Sequence, residues 1–272
     1  MNDPLNDPLN DPLNDRLHAI VEGPADHPML VLSTSLGTTC ALWEPLVPAL
    51  TNHFRVVRYD HLGHGGSAVP EGPYTIERLG RATLGLFDRL GLGTVSYAGL
   101  SLGGMVGMWL AINAPERIDR LALLCTAARL PAEPWQDRVA AVRLGGLRAI
   151  ADPVLARWFT PRWAASHPDV VQAFRAGLES TPEDGYVGCC EAIAAMDLRP
   201  ELPGIAVPTV VIGGAQDAAI PVDYQVEIAE AVPGARLVVV DGAAHLAPVE
   251  QTEIVTATLV DHLSPRGSQT GG

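Results

Sequence analysis

Six short apolar runs recur along the chain with helix-length segments between them. This alternation constrains the fold more than any other feature. The runs are MLVLST (29–34), FRVVRYD (54–60), TVSYAG (94–99), RLALLC (120–125), PTVVIGG (208–214) and ARLVVVDG (235–242). Unbroken aliphatic and β-branched runs of this length suit parallel strands covered on both faces, whereas a half-exposed strand would alternate apolar with polar. The intervening patterns predict helices over 75–90, 103–113, 223–232 and 250–263. Strand then helix, repeated, predicts an α/β fold with a mostly parallel, doubly wound sheet. A chain of 272 residues can bury the core such a sheet needs within one domain.

One interval breaks the rhythm. Residues 131–200 hold several helical stretches and no strand, and they carry Trp135, Trp158, Phe159 and Trp163. A helical insertion rich in large apolar side chains suits a cap over a pocket, or a subdomain with a small core of its own. The expected organisation is a core in two parts, 17–130 and 201–263, with a helical cap at 131–200. At the N-terminus a four-residue unit repeats in NDPLNDPLNDPLNDRL. Proline-broken and turn-forming, it reads as a disordered tail over 1–16, and SPRGSQTGG reads as a flexible tail over 264–272.

The formal net charge of −13 disfavours nucleic acid or an anionic membrane surface as partner, since both want a basic face. No apolar run approaches the roughly 20 residues of a membrane span, and the first residues lack a basic-then-apolar leader pattern. Cys40, Cys125, Cys189 and Cys190 show neither a CxxC pair nor zinc spacing. They read as reduced thiols of a cytoplasmic protein, with no structural metal implied.

Within YAGLSLGGMVGMWLA (97–111) a single serine, Ser101, stands between glycines two positions away on each side. Gly99-Leu100-Ser101-Leu102-Gly103 follows a predicted strand and opens a predicted helix, the context of a nucleophile elbow. Glycine lets backbone pack on backbone in so sharp a turn, and the helix N-terminus favours negative charge developing at the serine. A structural turn that happens to contain serine has the same local sequence, so the partners decide.

A serine hydroxyl is a weak nucleophile until a base takes its proton. Among eight histidines, His245 lies in DGAAHLAPVEQ, just past the C-terminal end of the last predicted strand, the edge where open α/β sheets gather their chemistry. His61 and His64, in YDHLGHGGS, read instead as hydrogen-bonding their own glycine-rich loop. The acid that orients the base should end an intervening strand, and VVIGGAQDAAIP offers Asp217 there. Capping the next helix is the competing role, for which Asp223 is better placed. The chain order Ser, Asp, His is that of α/β hydrolases. An oxyanion needs two backbone donors: the N–H of Leu102, after the nucleophile, and that of Leu36 in STSLGTT (33–39), where Gly37 allows a tight turn. Many hydrolases carry His-Gly where Thr34-Ser35 stand here.

From residue 29 to 263 the chain resembles the 3-oxoadipate enol-lactonases of the α/β-hydrolase superfamily. The resemblance is carried by LSTSLGTTCALWEPLVPAL, FRVVRYDHLGHGGS, GPYTIERLG, GLSLGGMVGMWLAINAPERIDRLALLCTAAR, RWFTP, CCEAIAAMDLR and AAHLAPVEQ. Two departures stand out: Thr34 where the family pattern has Asn, and Leu62 where it has Arg. The resemblance implies an α/β-hydrolase fold with a helical cap. It also implies opening of a small unsaturated lactone with one free acetate arm, in the β-ketoadipate branch of aromatic degradation, without a cofactor. In so acidic a chain an anionic small-molecule substrate needs a local cation. Arg129, Arg138 and Arg143 flank the start of the insertion, with Trp135 as an apolar wall. A general carboxylesterase or perhydrolase on the same three residues, and a non-catalytic ligand-binding protein of the same fold, are the competing readings.

Overall fold

The computed structural model describes residues 16–264. The two expected tails fall almost wholly outside that range; only Arg16 and Ser264 belong to it.

Seven strands form one sheet: β1 (Ala19–Glu22), β2 (Met29–Ser33), β3 (Arg55–Tyr59), β4 (Val95–Leu100), β5 (Ile118–Leu124), β6 (Thr209–Gly214) and β7 (Arg236–Val240). Their order across the sheet is β1-β3-β2-β4-β5-β6-β7. All neighbours run parallel except β1, which lies antiparallel on β3 at one edge with Ala19 opposite Tyr59. The six apolar runs are thus β2 to β7. β1 is the strand that the sequence pattern did not predict. Its four residues are largely half-exposed, as an antiparallel edge permits, so it has no continuous apolar run. The central β4 and β6 are buried at every position, because helices cover both faces.

The helices are α1 (Val47–Leu50), α2 (Ile76–Arg89), α3 (Leu102–Asn113), α4 (Glu133–Gly145), α5 (Ala151–Trp158), α6 (Pro161–Ser166), α7 (Pro168–Glu179), α8 (Glu183–Ala195), α9 (Val222–Ala231), α10 (Ala247–Glu250) and α11 (Thr252–Leu263). The predicted helix over 250–263 is divided, with a short α10 ahead of α11. α2 packs on α3, and α3 lies on β4 and β5; α11 covers the same two strands and packs with α1. α3 is buried from Leu102 to Ala111, which explains why it is apolar around its whole circumference.

The helices α4 to α8 are inserted between β5 and β6, where the strand rhythm lapses. The two ends of the insertion meet: Arg129 and Asp197 form an isolated antiparallel bridge, and Leu198 N–H donates to Ala128 C=O at 2.9 Å. The sheet order reverses between β2 and β4. In open α/β sheets the crevice beyond the strand ends at such a reversal is where ligands bind. The loops that leave β2 and β4 carry Ser35-Leu36 and Ser101.

Candidate active site

Ser101 is the first turn between β4 and α3, and its backbone is held at φ 55°, ψ −113°. Apart from glycines, only Ser101 and Cys125 among the described residues have positive φ. This conformation costs about 1–3 kcal/mol and persists only where the surroundings enforce it. They do so through contact between backbones. A Cβ on Gly99 would lie 2.1 Å from the Gly103 carbonyl oxygen, and one on Gly103 would lie 2.7 Å from the Ser33 carbonyl group. The glycines therefore let strand, turn and helix close on one another. Gly103 N–H donates to Thr34 C=O at 3.0 Å, which ties the start of α3 to the β2 loop.

A buried set of hydroxyls supports the same junction. Ser33 Oγ–H donates to Tyr59 OH at 2.7 Å, Tyr59 OH lies 3.1 Å from Tyr97 OH, and Tyr97 O–H donates to Gly103 C=O at 3.0 Å. His61 Nε2 lies 3.0 Å from Thr34 C=O and 3.1 Å from Ser33 Oγ. Gly37 N–H donates to His64 Nε2 at 2.9 Å, while His64 Nδ1 lies 3.0 Å from Leu62 C=O. Both rings therefore serve the loops in the neutral form. Burial, with His64 beside it, pushes His61 down to about 3, and burial lowers His64 as well.

His245 and Asp217, 28 residues apart, are brought together by the loops after β7 and β6. His245 Nδ1 lies 2.8 Å from Asp217 Oδ2, and both side chains are almost fully buried. Asp217 Oδ1 accepts from Ala219 N–H at 2.8 Å and Ile220 N–H at 2.9 Å. The carboxylate thus both organises its own loop and faces the imidazole. The two sets of contacts use different oxygens. Ser35 Oγ lies 3.4 Å from His245 Nε2.

Ser101, His245, Ser35 and Leu36 line one cavity of about 390 Å³. Its far wall comes from the insertion: Trp135 and Arg138 of α4, Val154, Arg157 and Trp158 of α5, and Tyr186 of α8. Neither Leu36 N–H nor Leu102 N–H donates to a protein acceptor among the described residues; Leu36 lines this cavity, and Leu102 follows Ser101 in the chain. Gly37, at φ +75°, turns the loop under Leu178 and Tyr186, where any Cβ would collide.

The three arginines named from sequence separate. Arg129 lies 3.7 Å from Asp197 and Arg143 lies 3.4 Å from Glu191, and neither lines the cavity with Ser101. Each is held at the surface by the acid opposite it across the insertion. Only Arg138 reaches the cavity. Its guanidinium stacks 4.6 Å from the centre of the Trp135 ring and faces Tyr186, whose phenol burial pushes up and Arg138 draws back. Among the described residues Arg138 has no carboxylate within ion-pair distance, nor has Arg157. Arg157 and Tyr186 are lining groups that sequence reading missed, since an arginine or a tyrosine within a helix gives no local signal of facing a cavity.

Glu250 was also missed. Its buried carboxylate accepts from Thr160 N–H and Thr160 O–H, each at 2.8 Å, and from Ala244 N–H at 2.5 Å. Leu246 N–H donates to Trp158 C=O at 2.9 Å. The loop that carries His245 is thereby fastened to the end of α5. Elsewhere, ligand atoms of His18, Cys40 and Asp60 lie within 4.8 Å of one another. Asp60 there accepts from Cys40 N–H and Gly66 N–H, and burial pushes the Cys40 thiol up to about 12, so the group is built as the brace of a turn.

The α/β-hydrolase fold family model matches residues 28–252. The chain belongs to that family. A 3-oxoadipate enol-lactonase of Acinetobacter baylyi, form 2, is 38% identical over 85% of this chain and 86% of its own length. Form 1 of the same organism is 33% identical over 86% of this chain and 87% of its own length. The crystal structure of the enol-lactonase from Burkholderia xenovorans LB400 superposes with a TM-score of 0.90 at 44% identity, covering 92% of this chain and 96% of that one. The doubly wound α/β fold expected from the strand rhythm, and the resemblance to enol-lactonases, both stand. Among the described residues no helix is long and apolar enough to cross a membrane.

Proposed function

We propose that this hydrolase opens 3-oxoadipate enol-lactone to 3-oxoadipate through an acyl-enzyme on Ser101. The observation that carries the reading is the convergence on one cavity of Ser101, His245 and Arg138, an arginine without an acidic partner among the described residues. The similarity to enol-lactonases supports the choice of lactone. Ser101 Oγ attacks the lactone carbonyl carbon as its proton passes to His245 Nε2, and Asp217 holds Nδ1–H and stabilises the imidazolium. The oxyanion accepts from Leu36 N–H and Leu102 N–H. The ring C–O bond breaks, the enol oxygen takes up the proton held by His245, and the enol tautomerises to the ketone. Water then gives a proton to His245 as it attacks the acyl carbon, and His245 returns that proton to Ser101 Oγ as the dicarboxylate leaves. No step calls for a cofactor.

Arg138 pairs with the acetate arm, its charge flattened against Trp135, which fixes the guanidinium plane. A charged hydrogen bond of this kind contributes about 1.5–3 kcal/mol. The enzyme belongs to the β-ketoadipate branch of aromatic degradation and acts in the cytoplasm, where its four buried cysteines stay free thiols. A panel of the enol-lactone, an uncharged five-membered lactone and a short neutral ester tests the reading. The enol-lactone is expected to give the highest kcat/KM by about 100-fold, of which the arginine contact supplies most. Equal kcat/KM for the neutral ester would favour a general carboxylesterase. Turnover of none of them, with no fluorophosphonate labelling of Ser101, would favour a non-catalytic binding protein.

A further inference from the structure

Among the described residues, the hydroxyl within hydrogen-bond distance of His245 Nε2 belongs to Ser35 and not to Ser101. Ser35 is 1% exposed, and its Oγ lies 3.4 Å from Nε2 across 210 residues of sequence. With Nδ1–H directed at Asp217, Nε2 bears the lone pair, so Ser35 O–H is the donor in the resting site. Ser101 Oγ makes no hydrogen bond to any described residue and lies open to the cavity. The backbone does not demand serine at position 35: the carbonyl of Ser35, not its side chain, receives Thr38 N–H at 3.2 Å and Thr38 O–H at 2.8 Å. The hydroxyl is free to serve the imidazole.

We propose that Ser35 relays the proton from His245 to the departing oxygen. The proposal rests on the reading of His245 as the base of a serine hydrolase. Once Ser101 Oγ has bonded to the acyl carbon it carries no proton and its former partner is imidazolium. Ser35 Oγ is then the protein hydroxyl within reach of Nε2–H. As the tetrahedral intermediate collapses, the oxyanion lone pair re-forms the carbonyl and the C–O bonding pair passes to the leaving oxygen. Ser35 O–H gives its proton to that oxygen while Ser35 Oγ takes the proton from Nε2. The imidazole ends neutral, Ser35 ends with one proton, and the leaving group departs as an alcohol or enol. A leaving group that is stable as an anion needs no such donor, so the relay acts selectively on poor leaving groups.

The test compares Ser35→Ala with the unaltered enzyme on an ethyl ester and the 4-nitrophenyl ester of the same short acid, read as kcat/KM, which reports acylation. The relay predicts a fall of about 10-fold or more for the ethyl ester and less than about 2-fold for the 4-nitrophenyl ester. Ser35→Thr, which keeps a hydroxyl, should recover the ethyl-ester rate. Equal falls for both esters, with or without a lowered Tm, would assign Ser35 a structural role and overturn the proposal, as would no fall in either. Enol-lactone turnover is measured separately. An enzyme that hydrolyses the esters but leaves the lactone untouched would retire the lactone reading, while the ester ratio still decides for or against Ser35.

Discussion

Asp217 divides its two oxygens between His245 and its own loop: Oδ2 lies 2.8 Å from His245 Nδ1, while Oδ1 accepts from Ala219 N–H and Ile220 N–H. Asp217→Asn keeps the size of the side chain and can keep the loop bonds, but it presents an amide N–H to Nδ1. The imidazole must then hold its proton on Nε2, where it cannot accept one from Ser101. We expect kcat to fall on the order of 10⁴-fold with little change in Tm, by analogy with the same substitution in other serine triads. Steady-state kinetics with a thermal melt checks this. A fall of less than 10-fold would remove Asp217 from the mechanism.

Glu250 joins the His245 loop to the insertion through three donors. Glu250→Ala leaves Thr160 N–H, Thr160 O–H and Ala244 N–H buried without an acceptor. Each orphaned donor costs about 1–3 kcal/mol, less whatever water recovers. Urea unfolding should show a clear loss of stability, and kcat should fall as the loop carrying His245 loosens. Unchanged stability would show that the carboxylate is not the fastening it looks to be.

Arg138 is the candidate carboxylate partner that lines the cavity among those named from sequence. Arg138→Met keeps much of the stem and removes the charge. kcat/KM for the anionic enol-lactone should drop about 10- to 150-fold, the range equivalent to a charged hydrogen bond. A small neutral ester should lose far less. The ratio of the two constants, measured at low and high salt, is the readout. If it stays put in Arg138→Met but moves in Arg157→Met, the carboxylate sits on the α5 side of the cavity instead.

Much of this site is legible in the sequence where a local pattern encodes it. Gly99-Leu100-Ser101-Leu102-Gly103 announces a strand-to-helix turn because the backbone contact that requires glycine at 99, with the Gly103 carbonyl, is local, although the one at Gly103 is with distant Ser33. His245 and Asp217 can be found by their position after apolar runs and by chain order. The remainder depends on distant contacts. β1 has no continuous apolar run to read, because one of its faces is open at the sheet edge. Arg129, Arg138 and Arg143 look equivalent as letters, and only the acids placed opposite two of them tell them apart. The approach of Ser35 to His245 spans 210 residues and leaves no trace in either local sequence.

The buried pair His61 and His64 sets a pH dependence of stability. Burial, with His64 next to it, holds His61 near 3 against an ordinary 6.5, and burial lowers His64 too. Below about pH 6.5 the unfolded chain takes up a proton at His61 that the folded protein binds only near 3, and at His64 the difference has the same sign. The unfolded state then binds more protons, so stability falls as pH drops from about 6.5 toward 3, by about 1.4 kcal/mol per pH unit for each proton of difference. His61→Gln removes one such proton. The slope of unfolding free energy against pH between about 6 and 4 should flatten by nearly that amount. An unaltered slope would mean that His61 takes up its proton in the folded state.

The central claim is that Ser101 attacks the enol-lactone. Its most direct test is the rate at which 3-oxoadipate enol-lactone disappears with the unaltered enzyme and with Ser101→Ala, side by side, at matched concentration and pH. The account predicts rapid opening by the first, and a fall in kcat on the order of 10⁴-fold or more in a variant that melts at nearly the same temperature. Lactone opening by Ser101→Ala at a rate close to the unaltered enzyme would contradict it.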